Sequence, residues 1–117
     1  MADKPSLPVV LLVDDNADLL AVVEALLAAK GHPVRTAPNA NAALALLEED
    51  EDIAVLLTDV VMPGMNGVEL AREALRLHPQ LKIILASGFP QGVDAAASGY
   101  AFVKKPYSYE DLKPLIS

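Results

Sequence analysis

The stretch from Val55 to Gly67 constrains this chain most: Val-Leu-Leu-Thr-Asp-Val-Val-Met-Pro-Gly-Met-Asn-Gly, an apolar run that ends in one carboxylate, Asp59, and passes at once into a loop of Pro and Gly. An apolar run of that length bounded by turn residues reads as a fully buried strand, of the kind found inside parallel sheets. Asp59 then stands at the carboxyl end of a strand, where open α/β sheets place their ligands. A carboxylate ending a buried strand costs stability unless something pairs with it. Two readings follow. Asp59 caps the next helix or bonds to loop amides, or it belongs to a site whose partners come from elsewhere in the chain.

The same grammar recurs along the sequence. Residues 8–13 form a second buried-strand candidate ending in Asp14-Asp15. Asn16 can cap a helix carrying Leu19, Val22, Val23, Leu26 and Leu27 at helical spacing, with Gly31 at its C′ position. Residues 33–37 make a short, weak strand, and Asn39 caps an Ala/Leu-rich helix to about Leu47, closed by the acidic run 48–52, which reads as a solvated loop. Gly67 leads into a helix over 68–77, stopped by His78-Pro79. Residues 81–86 are a further buried strand ending in Ser87-Gly88, and 100–103 a last short one before Lys104-Lys105-Pro106. Ser108 to Asp111 has the form of a capping box and opens a final helix that Pro114 keeps short or bent. Between them, residues 89–99 hold Pro90, Gly92 and Gly99 around a short Ala-rich core, so the fourth helix is expected to be short or irregular.

Strand then helix, repeated, predicts a parallel sheet with helices on both faces. Right-handed crossovers make the flavodoxin-like, doubly wound order 2-1-3-4-5 the most economical five-strand arrangement. At 117 residues there is room for one domain, 1–117, with a single core. Hydrophobic residues reach 53% and aromatics only 4%, so that core must be aliphatic. The formal charge of −7 argues against direct nucleic-acid binding, and the absence of cysteine excludes disulfides and thiol chemistry. No segment reads as a signal peptide or membrane span, which makes a cytoplasmic location and no membrane partner the expectation.

In the 2-1-3-4-5 order, strands one and three are neighbours, so Asp14, Asp15 and Asp59 converge at one edge. Three close carboxylates raise one another's pKa unless a cation sits between them, and an all-oxygen donor set in a partly hydrated cleft suits Mg²⁺. Ser87 ends strand four and Lys105 follows strand five on the same rim. A hydroxyl and an ammonium beside metal-bound carboxylates make a place for a phosphoryl group. No phosphate-cradling glycine motif is present, so a carboxylate nucleophile that takes the phosphoryl group covalently fits better than a bound nucleotide.

Four pieces carry a resemblance: Leu-Leu-Val-Asp14-Asp15-Asn, Leu-Leu-Thr-Asp59-Val-Val-Met-Pro-Gly-Met-Asn-Gly67, Ile-Leu-Ala-Ser87-Gly and Val-Lys-Lys105-Pro106-Tyr. Together and in this order they resemble the receiver domain of two-component response regulators, including the chemotaxis-regulator type. The resemblance implies a phosphorelay signalling domain, catalysing only its own phosphorylation and dephosphorylation. Asp59 accepts phosphate from a phosphohistidine on a histidine kinase or phosphotransfer protein. By the same resemblance Asp15, Asp59 and the Val61 backbone carbonyl ligate Mg²⁺, and Asp14 acts mostly through water. Lys105 and Ser87 bind phosphoryl oxygens, Ser87 and Phe102 act as switch positions, and a weak homodimer is allowed. Lys105 rather than Lys104 is expected at the site, since neighbouring side chains on a strand face opposite ways and the family's lysine directly precedes a proline joined by a cis bond.

Two departures stand out. Lys105 follows Ser87 by 18 positions, several fewer than the family usually has, and the shortfall falls at the fourth helix. The sequence also stops at Ser117, so the last helix is clipped or the domain was cut from something longer. Two rivals carry different functions. A small Mg²⁺-dependent aspartyl phosphatase of the haloacid-dehalogenase type needs a second Asp two residues after the nucleophile, where this chain has Val61. A receiver-fold interaction domain without phosphorylation would not need the full acid and lysine set. Of the remaining polar and sulfur-bearing residues, His32 and His78 read as surface or C-cap residues. Met62 and Met65 read as loop packing, and Tyr107 and Tyr109 as packing or exposed rings.

Overall fold

The computed structural model describes residues 7–88 and 100–116. The expectation of a short or irregular fourth helix falls on residues outside these. Five strands, β1 (Val9–Val13), β2 (Val34–Ala37), β3 (Ile53–Asp59), β4 (Lys82–Ser87) and β5 (Ala101–Lys104), form one parallel sheet in the order β2-β1-β3-β4-β5. Four helices are described: α1 (Ala17–Ala29), α2 (Ala40–Glu49), α3 (Gly67–Leu77) and α4 (Tyr109–Ile116). The doubly wound five-strand reading therefore holds. Among the described residues, no helix is long and apolar enough to cross a membrane.

The sheet divides the core by strand alternation. Leu11, Val13, Leu56, Ile83 and Leu85 face α2 and α3, whereas Val10, Leu12, Val55, Leu57, Ile84 and Val103 face α1 and α4. Both faces are covered, which is why β1, β3 and β4 are apolar at nearly every position instead of alternating. The core is aliphatic, as the composition requires: Leu11, Leu27, Leu56, Leu70, Ile84, Leu85 and Leu112 are all 0% exposed.

Most boundaries follow from local chemistry. The Asn16 and Asn39 side chains accept the backbone N–H of Leu19 at 3.1 Å and of Ala42 at 2.8 Å, capping α1 and α2. Gly31, at φ +93°, donates to the Ala28 carbonyl while His32 donates to that of Leu27, the paired bonds of a Schellman ending. Ser108 and Asp111 exchange the reciprocal bonds of a capping box at the start of α4, and Pro114 lies within that eight-residue helix. The sequence reading passed over a second capping box: Asn66 and Glu69 bond each other's backbone N–H at 2.9 and 3.0 Å, so α3 begins at Gly67. Strands β4 and β5 end one residue later than expected, at Ser87 and Lys104, and α2 runs on to Glu49. Cross-strand pairing of Ser87 with Lys104 carries both strands to the rim.

Two surface expectations are corrected. His32 is only 5% exposed, with Nε2 3.0 Å from the Tyr109 hydroxyl, because the Schellman turn folds it under the start of α4. The acidic run is not wholly solvated either, since Asp50 pairs with Arg35 of β2 at 2.7 Å. His78 does cap α3, as read, and its Nε2 donates to the Leu47 carbonyl at 2.6 Å.

Candidate functional site

The carboxyl ends of β1 and β3 meet because these strands pair directly, Val13 opposite Thr58. The sequence turns acidic just there. Asp14 follows β1 and Asp59 ends β3, and one oxygen from each of Asp14, Asp15 and Asp59 lies within 4.8 Å of the others. Asp14 is buried and fully engaged: Oδ1 accepts the Asn16 N–H at 2.9 Å and Oδ2 accepts Lys105 Nζ at 2.8 Å. Asp15 is exposed, and Asp59 lies partly buried between the two.

Lys105 reaches the cluster from beyond β5. Its Nζ stands 2.8 Å from Asp14 Oδ2 and 3.2 Å from Asp59 Oδ2, while Lys104, the last residue of β5, is exposed. The Lys105 backbone N–H donates to the Ser87 carbonyl at 2.9 Å, which holds the ends of β4 and β5 at one level. Ser87 is buried on that rim. The Lys105-Pro106 bond is cis. Thus Asp14, Asp15, Asp59 and Lys105 share one cleft with Ser87 beside it, whereas Phe102 lies further back on β5, half-buried against the α2/α3 side of the core.

Electrostatics follow from burial. Desolvation pushes the Asp59 carboxyl above its ordinary value; Lys105 opposes this, Asp14 adds to it, and the Val61 backbone amide opposes it weakly. For Lys105 burial alone would lower the pKa, but its hydrogen bond to Asp14 and the charges of Asp59 and Asp14 outweigh that and raise it. One ammonium therefore does not neutralise the cluster, and a hard cation held by oxygen ligands fits what remains.

Sequence reasoning missed three contributors. Tyr107, read as packing or an exposed ring, packs against the α1/α4 side of the core. Burial first, then the charges of Asp14 and Asp59, push its phenol far up, which places the ring near the cleft. Its position two residues beyond Lys105 was the available signal. Thr58 is fully buried and donates from Oγ1 to the Asp59 carbonyl at 3.0 Å. Gly67 has its backbone pressed against that same carbonyl: a Cβ there would overlap the Asp59 oxygen and lie 2.9 Å from Val60 Cα. A glycine opening a helix, where most residues are tolerated, was the clue. Gly67→Ala should destabilise the fold by about 1–3 kcal/mol in urea denaturation, because the obstructing atoms are backbone and cannot rotate away. Stability equal to wild type would mean that the loop relaxes freely.

A doubly wound α/β domain whose polar edge gathers three carboxylates and a lysine is a narrow structural class. The model of the response regulator receiver domain family matches residues 10–117, and the chain belongs to that family. It is 37% identical over 107 residues to the response regulator receiver protein CpdR of Brucella abortus, covering 88% of each chain. It is also 37% identical over 109 residues to the C4-dicarboxylate transport transcriptional regulatory protein DctD of Rhizobium meliloti, covering 90% of this chain but 24% of that protein. A solved receiver domain protein from Clostridium thermocellum superposes with a TM-score of 0.84 at 28% identity, over 94% of this chain and 91% of the other. The chain is thus a signalling domain of two-component systems, and it spans only a fraction of its longer relatives.

Proposed function

We propose that residues 1–117 act as one phosphorelay receiver unit in which Asp59 is the phosphoacceptor. The observation that carries this reading is Lys105 Nζ at 2.8 and 3.2 Å from two of three convergent carboxylates. An Asp59 carboxylate oxygen attacks the phosphorus of a phosphohistidine on a histidine kinase or phosphotransfer protein. The P–N bond breaks, an acyl phosphate forms on Asp59, and the imidazole leaves with the bonding pair and takes up a proton. Lys105 meets the negative charge of the incoming phosphoryl oxygens, and Asp14 holds the ammonium toward them. Ser87, on the same rim, supplies a hydroxyl to the phosphoryl oxygens, and the change in its contacts passes to Phe102 on β5 as the signal.

Asp15, Asp59 and the Val61 carbonyl, with Asp14 behind them, would hold Mg²⁺, which when bound offsets the charge shared by carboxylates and phosphoryl oxygens. The donor set supports this, being oxygen only and under-neutralised by Lys105. Val61 is 64% exposed and apolar, so the position two residues beyond Asp59 offers no general acid, and repeated turnover of phosphate esters is not expected.

Metal affinity tests the acidic cluster directly. Titration of the wild type with Mg²⁺ should show weak binding that raises Tm. At a tenfold excess over Kd, one site contributes about 1.4 kcal/mol. Asp15→Ala should lower the affinity severalfold while leaving the metal-free fold intact, since Asp15 is exposed. Unchanged affinity would remove Asp15 from the ligand set.

A further inference from the structure

At the end of the sheet away from Asp59, the C-termini of α2 and α3 converge on an open groove of about 670 Å³. Its floor is apolar, with buried Leu47, Ile53 and Leu81, and Leu77 lies 42% exposed at the lip. Glu48, Glu51 and Asp52 also line it, and among the described residues no cation pairs with any of the three. Two helix C-termini add their negative ends to this field. The last turn of α2 has no basic residue, and Arg76 in that of α3 leans toward Glu73 at 3.9 Å. His78 ties the two helix ends together by donating to the Leu47 carbonyl. Among the described residues, no lysine or arginine lines the groove.

We propose that this groove docks a cationic segment of a partner protein, one that carries Lys or Arg beside leucine-like side chains. The occupant follows from complementarity. An apolar floor takes the aliphatic part of the segment, and the acidic rim takes ammonium or guanidinium groups. A bare divalent ion does not fit, because among the described residues the only acidic or histidine cluster close enough to hold a metal is Asp14, Asp15 and Asp59. The groove sits at the Ile53 end of β3, roughly 20 Å along the strand from Asp59 at about 3.3 Å per residue. Docking there is therefore independent of the proposed phosphoryl transfer, and works as a tether that holds the domain to its partner in either phosphorylation state.

The test uses the isotope-labelled 117-residue chain and a synthetic peptide, Arg-Lys-Leu-Leu-Lys-Arg, followed by amide chemical shifts. Saturable shifts are expected at Ala54, Leu77, Gln80 and Leu81, equally in the wild type and in Asp59→Asn. The triple variant Glu48→Gln, Glu51→Gln, Asp52→Asn should bind about tenfold more weakly, three exposed charges each giving a modest share. A Ser-for-Leu peptide should also bind severalfold more weakly, since it lacks the apolar part. The proposal is overturned if shifts map to the Asp14/Asp59 cleft or to α1, if the triple variant or the Ser peptide binds as tightly as its reference, or if no saturable shift appears. Failure of Asp59 to accept phosphate would leave this result untouched.

Discussion

Asp59→Asn is expected to gain no phosphate when incubated with acetyl phosphate and Mg²⁺, while the wild type gains one phosphate by intact mass. The amide has no anionic oxygen to form the acyl phosphate. The variant also carries its own folding control, and the sign can be worked out. The folded-state pKa of Asp59 lies above 3.8, with burial as the largest cause. The folded protein thus disfavours the ionised form, and Asp59 lowers stability progressively as pH rises from 3.8 through its folded-state value. At neutral pH without metal, Asp59→Asn should melt at the same temperature as the wild type or higher. Saturating Mg²⁺ should shrink or reverse that gap, because the cation stabilises the ionised wild type more. A mass gain of one phosphate on the variant, as large as on the wild type, would sink the assignment. A strongly lowered Tm would show that Asp59 is structural.

Lys105→Ala should slow phosphorylation by about 10–100-fold, the loss of one charge-assisted hydrogen bond to developing phosphoryl charge. It should also cost about 1–3 kcal/mol of stability at neutral pH, because Asp14 loses a charged partner while remaining buried. Lys105 has a pKa above 10.5 in the fold, so its stabilising contribution is full below 10.5 and is lost as pH rises through the folded-state value. The stability difference between wild type and variant should therefore close at strongly alkaline pH. Among the described residues exposed Lys104 forms no ion pair with Asp14 or Asp59, and Lys104→Ala should match wild type in both measurements. The reverse pattern would place the functional ammonium one residue earlier than its geometry suggests.

Much of this was legible in the chain itself. Buried parallel strands announce themselves as continuous apolar runs because both faces are covered, so β1, β3 and β4 were readable, and the acids just after β1 and at the end of β3 fell at the sheet edge by chain order alone. The Asn16 and Asn39 caps and Gly31 were readable because capping and positive φ are local demands with few residue solutions, although the equally local Asn66 cap was passed over. The histidines were legible only in part. His32 and His78 both sit beside a proline at a helix end, yet His32 is buried on Tyr109 while His78 caps α3 and binds Leu47, a contact across 31 residues. Nor could the sequence show that the backbone at Gly67 presses on the Asp59 carbonyl, or that the Asn16 N–H and Lys105 share the two oxygens of Asp14. The sequence by itself determined the strand-helix alternation and the acidic edge, because periodicity and chain order are local properties. Only the tertiary structure decided how charge is apportioned among Asp14, Asp59 and Lys105 and where the groove between α2 and α3 opens, because burial and approach distance depend on segments far apart in the chain.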